Sequence, residues 1–182
     1  MKTGWQGWHH CMVGTYGCWL PGDPRRWCER NHHEDVPRDL LRLPRHRKFA
    51  EARLANSRKL MKYPLFRIES GDRERIGALL LDGFRHNKMT VAALAVTATN
   101  FHALVHYLGE FPKTMIGYVK THVTFRFAGI VDEATRERRP LWEGGSLIKP
   151  IRNLGHGREV YQYILDHVRE GAWVWSHRPK SA

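Results

Sequence analysis

The chain of 182 residues is poor in cysteine and has no long apolar run. Its three cysteines, Cys11, Cys18 and Cys28, cannot all pair within the chain, so we expect a reducing compartment. No apolar run reaches the roughly 18 residues that span a bilayer, and the first residues lead into none of the apolar stretch typical of a secretory signal. These absences favour a cytoplasmic protein without a membrane segment.

Acidic residues are scarce relative to basic ones. The chain has 18 Asp and Glu against 30 Lys and Arg, a net charge of +12 with 12 histidines besides. Such a surface favours a polyanionic partner, of which nucleic acid is the usual case, although solubility alone is the plainer explanation. Hydrophobic residues make up 42% and aromatic residues 11%, which excludes a disordered chain. The length predicts one domain over residues 1–182.

The spacing of apolar residues predicts an α+β fold. Residues 28–70 are charged and interrupted by prolines, which indicates an insertion with one helix around 46–62. Outside it we expect, in order, a strand over 8–16, a helix from Asp72 to about Phe84, strands over 89–97 and 101–108, a helix from Pro112, a strand over 146–151 and a last helix over 157–170. This order is that of a ferredoxin-like βαββαβ core with an antiparallel sheet, followed by one further helix.

The second strand of the central hairpin carries several side chains that could bind a metal. Alternation puts Asn100, His102 and His106 on one face. At about 3.3 Å per residue, Asn100 and His102 lie about 7 Å apart at Cα and could meet at one ion, whereas His102 and His106 are about 13 Å apart and cannot easily share one. Taken alone, His102 is better explained as an ordinary polar position on a sheet.

The last helix pairs a tyrosine with a histidine. Tyr163 and His167 are four residues apart and project from the same helical face. Tyrosine is a potential nucleophile and histidine a potential metal ligand. Taken alone, the pair is also what an amphipathic helix presents at the border of its buried face.

A third cluster could hold zinc. Cys28 and His32 are four residues apart, His33 follows, and Cys11 and Cys18 lie upstream. Structural zinc sites need about four nitrogen or sulfur ligands, usually in paired short spacings. Because no two cysteines are separated by two residues, the sequence disfavours a structural zinc.

Three segments resemble one enzyme family. Residues 15–27, TYGCWLPGDPRRW, resemble the TYGTWLPGDxRGW block of the REP-associated and IS200-like tyrosine transposases, which are HUH single-strand DNA endonucleases. Residues 99–105, TNFHALV, resemble the NHxHxLV strand of that family, and residues 163–167, YILDH, resemble its YIxxQ/H helix. The resemblance covers most of the chain and is weakest over residues 28–70.

The resemblance implies a ferredoxin-like fold and a metal-dependent reaction on single-stranded or hairpin DNA. Tyr163 would attack a phosphodiester to give a 5′-phosphotyrosine link, and His102 and His167 would hold Mg²⁺ or Mn²⁺. Arg25, Arg26, Lys113 and Lys120 would contact the nucleic acid. The family also implies a homodimer.

One position departs from the family pattern. The first histidine of the HUH motif falls on Asn100, so that the motif becomes Asn-Phe-His. An amide oxygen can bind Mg²⁺ or Mn²⁺ but is a poorer ligand than imidazole for softer metals. Two alternatives therefore stay open beside an active enzyme: a DNA-hairpin-binding relative without catalysis, and an RRM-like RNA-binding domain. The second alternative requires a Lys/Arg-Gly-Phe-like aromatic run, which the sequence lacks.

Overall fold

The computed structural model describes residues 6–23, 43–109, 112–127, 130–131 and 136–177. These residues form five strands and four α-helices, in the order β1 (Trp8–Gly14), α1 (Pro44–Lys59), α2 (Ser70–His86), β2 (Thr90–Val96), β3 (Asn100–His106), α3 (Pro112–Arg126), β4 (Leu147–Pro150), α4 (Leu154–Asp166) and β5 (Trp173–Ser176). A short 3₁₀-helix, His167–Glu170, continues α4.

The five strands form one antiparallel sheet in the order β4-β1-β3-β2-β5. The first four follow the 4-1-3-2 order of a ferredoxin-like sheet, so the predicted fold class is confirmed. The fifth strand, β5, was not predicted from the sequence. It pairs with β2 from Val96 opposite Trp173 to Ala93 opposite Ser176, and so extends the sheet beyond the ferredoxin-like core.

The alternation of side chains along β3 divides the interior into two layers. Phe101, Ala103 and Val105 belong to the larger core, together with the buried faces of α2 and α3. Leu104 belongs to a smaller core with Val160 and Ile164 of α4. Helix α4 therefore covers the opposite face of the sheet from α2 and α3, and the even-numbered residues of β3 lie on its side.

Both ends of the last helix are defined by local chemistry. Asn153 precedes α4, and its side-chain oxygen accepts a hydrogen bond from the backbone N–H of His156 at 2.9 Å. After the 3₁₀ turn, Gly171 adopts φ +75°, a left-handed conformation that favours glycine. The predicted stop at Gly171 is therefore where the helical segment ends, although His167 lies in the 3₁₀ turn and not in the α-helix.

Much of the predicted insertion lies outside the described residues. Residues 24–42 belong to that part, and with them Arg25, Arg26, Cys28 and His32. The helix expected around 46–62 is α1, Pro44–Lys59. In the described part of the chain, no helix is long and apolar enough to cross a membrane.

Strand β5 packs on α2 where the ring of Trp173 lies against Gly77. Trp173 is half-buried against the larger core, and a Cβ added at the buried Gly77 would overlap the Trp173 ring. Gly117 in α3 is a contrasting case, because a Cβ added there would meet no atom within 4 Å. The absence of a side chain at residue 77 thus allows β5 to approach α2.

We expect Gly77→Ala to destabilise the protein by about 1–3 kcal/mol, because overpacking against Trp173 outweighs the better helix propensity of alanine. Gly117→Ala is the matched control and should stabilise by up to about 1 kcal/mol, since only the propensity changes. Urea unfolding followed by circular dichroism measures both. Equal effects of the two substitutions would contradict the proposed packing of Trp173.

Candidate active site

Four aromatic side chains from three parts of the chain meet between α4 and the sheet. His102 of β3 is closest to His167, with ring centroids 4.5 Å apart, and Tyr163 of α4 lies 4.8 Å from His167 and 5.4 Å from His102. His10 of β1 completes the group, 5.5 Å from the His102 ring and 5.8 Å from the Tyr163 ring. We call His10, His102, Tyr163 and His167 the histidine–tyrosine cluster.

Strand register places His10 beside His102. In the antiparallel pairing of β1 with β3, Met12 lies opposite His102 and His10 lies opposite Leu104. His10 and His102 are therefore diagonal neighbours on the same face, a relation that long or aromatic side chains can bridge. Tyr163 and His167 reach this face because α4 packs on it and their spacing of four residues aligns them.

The three histidines are buried, whereas the tyrosine is accessible. His10, His102 and His167 expose 5–7% of their surface, and Tyr163 exposes 47%. The Nε2 atom of His10 lies 3.3 Å from Nδ1 of His102. His167 Nδ1 lies 3.2 Å from a carboxylate oxygen of Glu170, and its Nε2 is buried without a hydrogen-bond partner among the described residues. A nitrogen of His167 is thus available to a ligand.

Burial keeps two of the imidazoles neutral. Loss of solvent, with a smaller contribution from Lys149, lowers the pKa of His10 to about 4. Loss of solvent and the neighbouring His167 and His10 lower the pKa of His102 to about 3. Both rings therefore carry no charge at neutral pH, which is the form that binds metals.

The tyrosine is not activated by its protein surroundings. Burial, and to a lesser extent the Glu170 carboxylate, raise the pKa of Tyr163 above its usual range. The phenol is consequently protonated at neutral pH. Nucleophilic chemistry at Tyr163 requires a positive charge that these residues do not themselves supply.

The Asn100 side chain takes part in a local hydrogen bond. Its side-chain oxygen accepts a hydrogen bond from the Thr97 hydroxyl at 2.9 Å, within the turn between β2 and β3. The structure thus brings His102, Tyr163 and His167 together, while the Asn100 amide is engaged in the turn. His106, at the other end of β3, packs against Trp8 with ring centroids 5.2 Å apart.

The predicted DNA-contacting lysines lie on the other side of the sheet. Lys113 is exposed on α3, and Lys120 is half-buried on the same helix. The Lys120 ammonium donates to the backbone carbonyls of Glu143 at 2.6 Å and Gly145 at 3.1 Å, and burial lowers its pKa. Helix α3 packs on the sheet face opposite α4, so neither lysine lies in the layer that holds Tyr163.

Sequence reasoning missed three residues at the cluster. His10 belongs to the cluster through its contact with His102, and Glu170 contacts His167. Lys149 of β4 is exposed and lies opposite His10 in the strand pairing, on the same face. Residue 10 was already placed in a predicted strand. The 4-1-3-2 order of the predicted fold puts that strand beside β3, and this neighbourhood was the signal that could have identified His10 and Lys149.

The donor atoms do not converge on one point as they stand. Within the described ranges, no group of three or more His, Cys, Asp or Glu side chains is arranged to hold a metal ion. The rings of His102 and His167 are tilted by 35° at a centroid distance of 4.5 Å. Convergence of their nitrogens on one ion would require the rings to rotate.

The chemistry of the cluster nevertheless fits a divalent metal. Two imidazole nitrogens that each lie about 2.1 Å from one ion are about 3.0–3.4 Å apart, and the observed His10–His102 nitrogen separation is 3.3 Å. The buried, unpartnered Nε2 of His167 offers a further neutral nitrogen, and its other nitrogen faces a carboxylate, as is usual for metal-binding histidines.

Comparison with known proteins gives structural neighbours, and two of them are described below. No protein-family model and no curated protein matches the sequence. A REP-associated tyrosine transposase bound to a REP hairpin superposes with a TM-score of 0.49 at 12% identity, over 91% of this chain and 68% of its own. An inferred transposase from Deinococcus radiodurans R1 superposes with a TM-score of 0.45 at 13% identity, over 87% of this chain and 88% of its own. Likenesses at this level carry no functional argument.

The buried neutral histidines predict a loss of stability in acid. His10 and His102 have folded pKa values of about 4 and about 3, below the 6.5 of an unfolded histidine, so the unfolded chain takes up protons first as the pH falls. Stability should be full above about pH 6.5 and decline below it, by up to about 2 kcal/mol per histidine between pH 7 and pH 5.

Urea unfolding at pH 7, 6 and 5 in the presence of a chelator measures this decline. His10→Gln should make it shallower, because one buried site of proton uptake is removed. His9→Gln is the matched control: the side chain lies on the opposite face of β1, and its Nδ1 contacts the carbonyl of Gly7. A decline that is unchanged in His10→Gln would contradict the assignment.

Proposed function

We propose that this chain is a metal-dependent DNA-nicking and strand-joining enzyme in which Tyr163 attacks a phosphodiester of single-stranded DNA. The observation that carries the proposal is the half-exposed Tyr163 ring packed against three buried histidines from β1, β3 and the end of α4. The net charge of +12 and the three family-like sequence segments support the same assignment.

The reaction exchanges one phosphate ester for another. The phenol oxygen of Tyr163 forms a bond to phosphorus, and the bond from phosphorus to the 3′-oxygen breaks. The phenol proton passes to water on the exposed side of the ring, and the leaving 3′-oxygen takes up a proton from water. The products are a 5′-phosphotyrosine link and a free 3′-hydroxyl. The reverse attack by a 3′-hydroxyl rejoins the strand and restores the tyrosine.

The histidines could hold the positive charge that the protonated phenol of Tyr163 needs in order to react. The sequence-based ligand set is His102, His167 and Asn100, holding Mg²⁺ or Mn²⁺, which when bound polarises the scissile phosphate and offsets the developing charge. His167 is oriented for this by Glu170 at its Nδ1. The three buried rings also exclude water from one side of the phenol, whereas its exposed side leaves room for a DNA strand.

The same face offers a contact for the DNA backbone. Lys149 is exposed, lies opposite His10 on β4 and contributes positive charge at that histidine. A strand that presents a phosphate to Tyr163 passes close to this lysine, and lysines of this kind hold phosphates. We propose single-stranded or hairpin DNA as the partner, because a flexible strand can present a phosphate to Tyr163 beside α4 more readily than a duplex. The homodimer stays a prediction of the family resemblance.

The arrangement argues against the RNA-binding alternative. RRM domains stack bases on aromatic side chains of an open sheet face. In the described part of this chain, the sheet face carrying His10 and His102 is covered by α4, and the other face is packed against α2 and α3. Neither face offers an open aromatic platform.

Tyr163→Phe should abolish the covalent DNA adduct and leave DNA binding nearly unchanged, because only the hydroxyl is lost and the ring volume is kept. Tyr161→Phe is the matched control, since residue 161 lies two positions away on α4 and its side chain packs with the smaller core. The assay is adduct formation on a labelled hairpin oligonucleotide with Mg²⁺ and with Mn²⁺.

The outcomes separate the alternatives. An adduct that persists in Tyr163→Phe and disappears in Tyr161→Phe would show that Tyr161, and not Tyr163, is the nucleophile. Tight binding of the hairpin without an adduct in the unmodified protein would instead favour the non-catalytic DNA-binding relative.

DNA binding should weaken steeply with salt and depend on the face that carries Tyr163. We expect tighter binding of single-stranded or hairpin DNA than of blunt duplex, and a loss of affinity as salt displaces phosphate contacts. Lys149→Gln should weaken binding and reduce the slope of log affinity against log salt concentration by about one. Lys113→Gln, on the opposite layer, should change both the affinity and this slope less. Fluorescence anisotropy at several salt concentrations measures both. A larger effect at Lys113 would place the DNA on α3.

A further inference from the structure

We infer that His10 of β1, and not Asn100, completes the metal site with His102 and His167, and that the resulting three-imidazole set favours transition-metal ions over Mg²⁺. The inference deepens the proposed function and rests on it for the role of the metal. Its evidence is the geometry of the cluster, in which a histidine from a different strand occupies the place beside His102.

Asn100 is already committed to a local hydrogen bond. Its side-chain oxygen, the only good metal-binding atom of an amide, accepts from the Thr97 hydroxyl at 2.9 Å. The same Thr97 oxygen accepts from the backbone N–H groups of Thr99 and Asn100, so the bond belongs to the structure of the β2–β3 turn. The oxygen keeps a second lone pair, but an ion bound there would have to accept the orientation that the turn imposes on the amide.

The His10 side chain is not held in a turn. Its Nε2 already lies 3.3 Å from His102 Nδ1, a separation that two nitrogens bound to one ion would also have. Between two neutral imidazoles in the metal-free protein, this contact is at best one long hydrogen bond. A cation between the two nitrogens would satisfy both lone pairs.

His167 supplies the third nitrogen, and its ring has to rotate before this nitrogen converges with those of His10 and His102. The Glu170 carboxylate at Nδ1 favours a proton on that nitrogen and leaves the lone pair on Nε2. That Nε2 is buried and has no hydrogen-bond partner among the described residues. A buried unpartnered polar atom is costly unless a ligand or water binds it, and an ion bound by this nitrogen would remove that cost.

A second histidine pair elsewhere lacks these properties. His122 of α3 stacks near His86 with ring centroids 5.9 Å apart and lies beside Asp82. Both nitrogens of His122 are engaged, Nε2 with the Asp82 carboxylate at 2.8 Å and Nδ1 with the Arg126 guanidinium at 2.8 Å. The adjacent guanidinium also repels a cation. His122→Gln therefore serves as a background that removes this competing cluster.

The donor set determines the metal preference. Imidazole suits Co²⁺ and Zn²⁺, whereas Mn²⁺ binds nitrogen ligands more weakly and Mg²⁺ prefers oxygen ligands and keeps its water. A site of three imidazoles should therefore bind Co²⁺ and Zn²⁺ most tightly, Mn²⁺ less tightly and Mg²⁺ weakly. A site that used the Asn100 oxygen would shift this order toward Mg²⁺.

The test is isothermal titration calorimetry with Zn²⁺, Mn²⁺ and Mg²⁺ on the full chain in the His122→Gln background, with Co²⁺ absorption as a spectroscopic check of nitrogen ligation. His10→Gln should lower Zn²⁺ and Mn²⁺ affinity at least about tenfold, and Asn100→Ala less than about twofold. His9→Gln is the control next to His10. If His10→Gln does not fold, His10→Met carries the test, since it fills the buried volume and is a poor ligand for Mn²⁺.

Three results would overturn the inference: no metal binding by the unmodified site, an Asn100→Ala loss equal to or larger than the His10→Gln loss, or tighter binding of Mg²⁺ than of Mn²⁺. Adduct formation on the same preparations separates this inference from the proposed function. Metal affinity that follows His10 without any adduct supports the site and contradicts the enzyme. An adduct together with metal affinity that follows Asn100 supports the enzyme and contradicts the inference.

Discussion

The antiparallel pairing of β1 with β3 is the constraint on which the site depends. It sets Met12 opposite His102, and this register alone makes His10 a diagonal neighbour of His102. A slip of one residue would move His10 to the face of α2 and α3, where the larger core has no place for it. The register is fixed because Cys11 and Val13, on the other face of β1, are fully buried in that core. Ordinary packing on one face thus determines the chemistry on the other.

Burying three imidazoles together costs the free energy of removing their polar nitrogens from water. Polar rings removed from water require partners, and here the partners are one another, Glu170 and, in our proposal, a metal ion. The exposed Tyr163 ring closes the cluster toward solvent. Folding therefore assembles neutral nitrogens beside a protonated phenol.

The fold was more predictable than the site. The spacing of apolar residues around Ile76, Phe84 and Phe101 indicated the elements and their order, because an element that is buried on one face has apolar residues at regular intervals in the sequence. β5 was not indicated in this way, since Trp173–Ser176 is short and half-buried and is fixed by pairing with β2 and by contact with Gly77. His102, Tyr163 and His167 could be found from spacing and family resemblance. His10 could be found only by placing the predicted strands in their ferredoxin-like order, and Glu170 could not be found, because its contact depends on a 3₁₀ turn that spacing along the chain does not specify.

The attachment of α4 at both ends limits how the tyrosine can move. β4 precedes α4 and pairs with β1, and β5 follows it and pairs with β2. Between α4 and β5, the backbone N–H of Ala172 bonds to His167 and the Arg73 guanidinium bonds to the carbonyl of Gly171. A helix held in this way cannot carry Tyr163 to the histidines of another copy without breaking sheet pairs. In the reaction that we propose, the tyrosine and the histidines would therefore come from the same copy of the chain, and the DNA ends would have to move past a stationary tyrosine.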